Sequence, residues 1–379
     1  MAARAAGRGP LDVPFLLLTL LLTAMGLIML FSASFPMAIY ESGDKVNAAY
    51  YLIRQGLFAV VGIVLMLIIG RINYARYRVV GKYVIAVAVI LLVLVLIPGV
   101  GITRNNATRW LGFGELFTFQ PSEIAKVGVI LYFASSISKK KERMHTFKYG
   151  IAPYALLLLV IAFLMYKEPH LSGMVLILGI GAAMLFAGGI DMIWVGAGIG
   201  VGVLGVWGYL SGKISYNSAR ITVWRDPLTE DPELMQGAAY QIRQSLLAIG
   251  SGGLLGVGLG RSRQKFLYLP ERHNDFIFAI ICEELGMVGA LLIMAIFALL
   301  ILRGYWIALH ARDRFGALLA VGVTTQVALQ VFLNIAVVTN LFPNTGISLP
   351  FFSYGGTALV IQLAEMGLVL SVSRQMPPA

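Results

Sequence analysis

A single cysteine, Cys282, stands in a chain of 379 residues, so no disulfide can form within it. Charge is scarce as well. Asp, Glu, Lys and Arg make up 12% of the residues, about half the share usual in a soluble domain. The four histidines, His145, His170, His273 and His310, are scattered and lack the spacing of zinc ligands. Acids number 18 against 29 bases, for a net charge of +11. Such a surplus suits nucleic acid in a soluble protein. In so apolar a chain its distribution decides more than its size, and no nucleic-acid partner is expected. Hydrocarbon is what the chain has in excess: 59% of residues are hydrophobic, and the mean hydropathy is +0.84.

Apolar runs fall at about 12–34, 50–70, 79–99, 122–138, 151–167, 172–189, 191–210, 275–302, 315–340 and 353–373. Each approaches or exceeds the roughly 20 residues a helix needs to cross a bilayer. The first is too long for a removed signal peptide and lacks a small-residue cleavage site. Ten spans put both termini on one side, and charge bias says which. Fifteen Lys and Arg fall in the segments that share the side of the termini, among them Arg71, Arg76, Arg78, Lys139, Lys140 and Lys141. Five fall opposite: Lys45, Arg54, Arg104, Arg109 and Lys167. The positive side is cytoplasmic.

The expected fold is therefore an all-α polytopic membrane protein with about ten transmembrane helices and cytoplasmic termini. Residues 1–379 form a single integral membrane domain. A large extracytoplasmic loop, 211–274, joins spans 7 and 8. It carries Trp224, Tyr240, Leu246, Leu247 and a glycine-rich tract, a composition unlike a disordered linker. Short helices lying on or dipping into the outer face are expected there. No internal repeat argues for an inverted-repeat transporter.

Ionisable side chains within apolar spans cost several kcal/mol unless paired or hydrated. Six stand out: Arg54, Glu123, Lys126, Glu283, Glu284 and Glu365. Glu123 and Lys126 are three apart and can pair on one helix face. Gln120-Pro121-Ser122-Glu123 also reads as an ordinary helix start, with proline and an acid in the first turn. Glu283 and Glu284 point about 100° apart on a helix, so both cannot meet one partner.

The tract from Gly250 to Gly260 lacks the strand–turn–helix unit and the Gly-Lys-Ser/Thr of a nucleotide loop. Two readings remain: a close-packed re-entrant turn, or backbone donors exposed to phosphate beside Arg261, Arg263 and Lys265. Next comes Leu269-Pro270-Glu271-Arg272-His273-Asn274-Asp275, leading into an apolar helix. There Asp275 reads as a helix cap. The helix dipole would lower its pKa, and burial would raise it.

Several blocks in order resemble one family. They are Asn106-Ala107-Thr108-Arg109-Trp110-Leu111, Phe119-Gln120-Pro121-Ser122-Glu123 with Lys126, and Ala248-Ile249-Gly250-Ser251-Gly252-Gly253. Tyr268-Leu269-Pro270-Glu271, Asp275-Phe276-Ile277-Phe278-Ala279, Glu283-Glu284-Leu285-Gly286 and Thr345 through Gly356 follow. Together they resemble the shape, elongation, division and sporulation (SEDS) family, the group that contains RodA, FtsW and SpoVE. Glu271 to Asp275 and the ending Val372-Ser373-Arg374 look closest to the FtsW and SpoVE subgroup.

The resemblance implies a glycosyltransferase that polymerises lipid II into β-1,4 glycan strands outside the bacterial cytoplasmic membrane. The leaving group would be undecaprenyl diphosphate, and the setting elongation, division or sporulation. It implies a class B penicillin-binding protein as partner, membrane lipids as surroundings, and Asp275 as the catalytic acid. In one place the chain departs from the family. Where the family has an acid after the fifth span, the sequence is Glu168-Pro169-His170-Leu171-Ser172. Glu168 is expected to replace that acid by pairing with Arg54.

One inverting displacement needs a base at the attacking hydroxyl and positive charge at the leaving diphosphate. Asp275 is the expected base. Arg109, Arg243, Arg261, Arg263 and Lys265 are the diphosphate candidates, each equally readable as a cation holding lipid headgroups. Glu271 and Ser353, in the matching blocks, join them as sugar or diphosphate contacts. No cofactor is required, although a divalent cation, Mg²⁺ or Mn²⁺, would assist; no carboxylate cluster marks a site for it. Two other classes compete. A lipid II flippase would use Glu123, Lys126 and Glu365 equally well, and a structural scaffold would not need Asp275.

Overall fold

The computed structural model describes residues 9–42, 47–104, 107–113, 117–211, 218–229, 231 and 237–376. Asn106 and parts of the large loop lie outside them. In chain order the α-helices are α1 (Val13–Ser42), α2 (Tyr50–Arg71), α3 (Tyr77–Val95), α4 (Pro121–Lys140), α5 (Ala152–Lys167) and α6 (Leu171–Ala187). They continue with α7 (Met192–Leu210), α8 (Ser218–Arg225), α9 (Ala238–Gly252), α10 (Ile277–Leu309), α11 (Arg314–Val338) and α12 (Gly356–Ser373).

Ten of these stand at the ten expected positions, and α8 and α9 lie in the large loop. Seven, namely α1, α2, α3, α5, α10, α11 and α12, are long and apolar enough to cross a membrane, while α6 and α7 are shorter apolar helices. In α4 the charges of Glu123, Lys126, Lys139 and Lys140 interrupt the apolar run. Gly9 N–H donates to Arg374 O (2.9 Å), so the two terminal segments meet at one end.

Lipid is as apolar as leucine, so close contact rather than hydrophobic transfer holds such helices together. Here α11 is central, with Phe315, Leu319 and Val323 fully buried. Its first turn is capped by Asp313, which accepts from Gly316 N–H (2.8 Å) and from Arg78 Nη2 (2.9 Å). Helices α2 and α12 approach closely because Gly367 has no side chain; a Cβ there would lie 2.7 Å from Met66 O. By contrast, α7 exposes Met192, Ile193, Ile199 and Val201, and its Trp194 ring meets Phe147 at 5.0 Å.

One element departs from an all-helical chain. Strands β1 (Ile102–Arg104), β2 (Ala107–Phe113) and β3 (Phe117–Phe119) form an antiparallel sheet in the order β1-β2-β3. Thr103 pairs with Thr108 in register, and their hydroxyls are 2.7 Å apart. The segment is too short and too polar to span, so it pairs with itself. The sheet carries Arg109.

The glycine tract settles into the first of its two readings. Gly286 breaks α10 with φ +68°, ψ −171°, about 14 Å along the helix from its start. The backbone groups freed by the break are taken up by the tract. Val257 and Gly258 N–H donate to Glu283 O and Glu284 O (2.9 and 3.0 Å). Met287 and Val288 N–H donate to Gly253 O and Leu254 O (2.9 and 3.1 Å). The tract is thus re-entrant, and Leu254 and Leu255 face outward from it. Its N–H groups at 257 and 258 are committed to α10, which corrects the phosphate-cradle reading.

The fit leaves no room for a side chain. A Cβ at Gly256 would lie 2.1 Å from Glu284 O, and φ there is +79°. Gly256→Val is expected to cost roughly 2–4 kcal/mol, read as a lower thermal midpoint in detergent. An unchanged midpoint would show that the tract does not hold α10.

Candidate active site

Asp275 lies two residues before α10. It does not cap that helix: Phe276 is the N-cap residue, and no side chain bonds the first turn. The carboxyl lies instead against Gly346, where a Cβ would come within 2.9 Å of Oδ2. Asn334, near the C-terminal end of α11, donates to Asp275 O and Ile347 O (2.8 and 2.6 Å), tying the two loops together. Ser353 tightens the same joint: its hydroxyl donates to Asn274 O (2.7 Å) and accepts from Leu349 N–H (2.7 Å). Ser353, expected as a substrate contact, is thus committed to the scaffold.

Burial pushes the Asp275 carboxyl up to about 7. The negative charge of Glu271 adds to that, and the cations Arg109 and Arg220 oppose it. Glu271 accepts from Asn274 Nδ2 (2.5 Å) and so lies in the same turn. Arg220, on α8, donates to Asn344 O (2.9 Å). Sequence reasoning missed it, because nothing near Arg220 in the chain marks the approach of α8 to Asp275.

Arg109 reaches the site from β2 and donates to Pro169 O. Its charge acts on three groups: Asp275, Glu168 and His170. Glu168 is 1% exposed, and neither carboxyl oxygen has a hydrogen-bond partner. Burial raises its pKa to about 8, against the pull of Arg109. Arg54 donates to Tyr50 Oη (3.0 Å) and interacts with Tyr354. The expected Arg54–Glu168 pair is therefore replaced by an Arg109–Glu168 neighbourhood, because the sheet carries Arg109 over the end of α5. His170 faces Gln120 Nε2 at 3.3 Å. Burial, then the charges of Arg109 and Lys126, hold its pKa down to about 3, so the imidazole is neutral.

The other candidates disperse. Arg261 and Arg263 are exposed on the turn after the glycine tract. Arg243 is exposed on α9 beside a cavity of about 260 Å³ lined by Pro227, Tyr240 and Leu247. Lys265 is spoken for: its Nζ donates to Glu284 Oε1 (2.9 Å) and Ser32 Oγ (3.0 Å), and its side chain is 3% exposed. That corrects its assignment to the diphosphate. Glu283 accepts from Ser262 Oγ and from Arg263 N–H (2.8 Å). Adjacent acids thus anchor one turn through different groups. Deeper in, Lys126 pairs with Glu123 at 2.8 Å, as their spacing predicts, and Gln326 Nε2 donates to Glu365 (2.5 Å).

Comparison with known proteins agrees with this picture. Residues 13–377 match the family described as cell cycle protein, that of FtsW, RodA and SpoVE. A Geobacter metallireducens protein named "Probable peptidoglycan glycosyltransferase FtsW" is 40% identical over 365 residues, covering 96% of this chain and 95% of its own. The Bacillus subtilis protein "Stage V sporulation protein E" is 42% identical over 366 residues, covering 96% and 97%. A chain solved in work on the structural coordination of polymerization and crosslinking by a peptidoglycan synthase complex superposes with TM-score 0.77 at 26% identity. That match covers 96% of this chain and 98% of the solved one.

The buried Lys265–Glu284 pair gives a sharp test. Lys265→Ala strands a carboxylate and is expected to destabilise by about 3–5 kcal/mol, whereas Lys265→Met with Glu284→Leu regains most of it. Denaturation of the purified variants reads both. A Lys265→Ala protein of full stability but weakened substrate affinity would return Lys265 to the diphosphate.

Proposed function

This chain belongs to the FtsW, RodA and SpoVE family, and from that premise we propose that Asp275 is the general base of its polymerisation step. The protein is a peptidoglycan glycosyltransferase of the bacterial cytoplasmic membrane. It joins lipid II units into β-1,4 glycan strands on the outer face.

The observation that carries an enzyme rather than a transporter is the one-sided distribution of buried polar groups. Helix α4 runs inward from Pro121; its Ser122, Glu123 and Lys126 are in the outer part, and the one polar residue buried further in is Ser135, whose hydroxyl donates to Arg78 O (2.8 Å). On α11, Gln326, Gln330 and Asn334 lie from the middle to the outer end, whereas Phe315, Leu318, Leu319 and Val323 fill the cytoplasmic half with the hydroxyls of Thr324 and Thr325. On α12, Gln362 and Glu365 precede Met366, Leu368, Val369 and Leu370. Ser371 and Ser373, beyond these, donate to Ile72 O and Leu370 O. The buried charges and carboxamides of these helices therefore lie on one side, and hydrocarbon with a few hydroxyls fills the other. A path that moves a polar headgroup across the membrane needs polar contacts on both sides of the midplane, and the cytoplasmic half of these three helices buries only hydroxyls, with no charge or carboxamide among them.

Asp275 suits a base in position and in pKa. Its carboxylate accepts the proton of the acceptor sugar's 4-hydroxyl as the new C–O bond forms and the diphosphate departs. Arg109 and Arg220, the cations whose charge reaches Asp275, are placed to stabilise the leaving diphosphate. Lys265 plays no part in this reading. A divalent cation, held by the diphosphate and water, would add positive charge at the leaving group. Among the described residues no group of three or more His, Cys, Asp or Glu comes together to hold a metal alone. The partner is a class B penicillin-binding protein that cross-links the strands. Support for it comes from the likeness to a chain of a complex that couples polymerization to crosslinking.

In detergent with lipid II, wild-type protein is expected to make glycan chains and Asp275→Asn none. Because the base works deprotonated, kcat/KM should rise with pH through about 7. Glu271→Gln removes a charge that raises the Asp275 pKa and should move the rise to lower pH. An active Asp275→Asn variant, or a midpoint indifferent to Glu271, would remove Asp275 from this role.

A further inference from the structure

Beneath Asp275 runs a row of buried polar side chains for which the chemistry above has no use. Asn334, Gln330 and Gln326 recur every four residues on one face of α11, which stacks them along about 12 Å of helix. The top of the row is Asn334, whose amide bonds the backbone of Asp275 (2.8 Å). The bottom is Gln326, whose amide bonds Glu365 (2.5 Å). Gln326, Gln330, Asn334 and Glu365 are 0%, 4%, 0% and 1% exposed, so the row runs wholly inside the protein. One oxygen on each of the four, together with Gln362 Nε2 and Ser122 Oγ, makes no hydrogen bond to the protein. Unpaired buried groups of both kinds, donor and acceptor, are what bridging waters require, and leaving them dry inside a membrane domain is strongly unfavourable.

The charges at the bottom of the row are unbalanced. Lys126 is paired with Glu123 at 2.8 Å and also acts on Glu365. The charged groups that face Glu365 are these two from α4, and α11 contributes only the neutral Gln326. Two carboxyl groups share one ammonium, so one of the two is left to bind and release a proton.

We propose that Glu365 is the holding site for the proton that Asp275 removes in each round of glycosyl transfer. The proposal rests on Asp275 being the base. In the step, the acceptor O–H bond breaks as the O–C1 bond forms. The C1–O bond to phosphorus breaks, its electron pair leaves on the diphosphate, and the proton passes to Asp275. The seated substrates then cover Asp275 from the outer solvent. The proton moves down the hydrated row to Glu365, which restores the Asp275 carboxylate before the next sugar unit arrives. It returns outward when the site is uncovered, because the cytoplasmic half of α4, α11 and α12 buries no further carboxyl or carboxamide. No proton crosses the membrane, and none is gained or lost overall. Glu365 touches no substrate and acts through Asp275.

The test compares first-bond formation with sustained elongation in the full-length protein. Rapid quench of labelled lipid II should show Glu365→Gln forming the first glycosidic bond at the wild-type rate but elongating about tenfold slower or worse. A small diffusible acid–base pair such as imidazole at raised concentration should restore elongation, and Glu365→Asp should retain it. Gln330→Leu, which interrupts the row and leaves Glu365 in place, should reproduce the slow, imidazole-rescued elongation. Wild-type elongation in Glu365→Gln would overturn the proposal. So would an equal loss at the first bond that imidazole does not repair, because that is the behaviour of a packing defect. Asp275→Asn separates the two readings: it should abolish the first bond, and if it does not, the base assignment fails whatever Glu365 does.

Discussion

Everything at the outer face depends on a break in one helix. Gly286 interrupts α10, and the backbone groups set free are satisfied by Gly253 through Gly258. Unsatisfied N–H and C=O groups are not tolerated at that depth, so the helix and the re-entrant tract are obliged to fit each other. The fit fixes where the chain emerges at Gly258. Glu283 and Glu284, just before the break, then seize the next turn through Ser262, Arg263 and Lys265. The segment that ends in Asp275 is therefore held at both ends, by this turn and by the start of α10. A catalytic group must be held within about half an ångström of its working position, and a loop achieves that only when anchored in this way.

The second organising feature is the division of the bundle along the membrane normal. The buried charges and carboxamides of α4, α11 and α12 gather in one half, and the other half is filled by hydrocarbon and a few hydroxyls. Buried charges are expensive in lipid and persist where they have a task. Here the charged pair Glu123–Lys126 and the acid Glu365 lie at the floor of the polar region, with Gln326 bonded to Glu365 at one end of the α11 row and Asn334 bonded to the backbone of Asp275 at the other. The chemistry and the barrier to the cytoplasm thus share the same three helices.

What the sequence revealed and what it hid differ in range. Spans depend on composition within about 20 residues, and all ten helices stand where hydropathy places them. The Glu123–Lys126 pair depends on a spacing of three and was equally legible. Arg54 took Tyr50, four residues away, rather than the distant Glu168. Lys265 looked like a free cation because its partner Ser32 is 233 residues away in the chain. The charge of Arg220 acts on Asp275 because α8 is tied to the segment after α11 through Asn344 O and Leu341 O, which no local pattern announces. The sheet was missed because seven residues of β2 carry too short an alternation to compete with the apolar runs around them. Asp275 itself looked like a cap; Phe276 stands at the N-cap instead, and only family resemblance singled Asp275 out.

The claim on which the account turns is that this membrane protein builds glycan on one side and carries nothing through. Vesicles with the protein in a single orientation, and lipid II confined to the leaflet facing residues 237–276, test it directly when polymer and lipid movement are followed together. The account predicts glycan chains on that side and no transfer of lipid II to the other leaflet. Transfer of lipid II without polymer would contradict it.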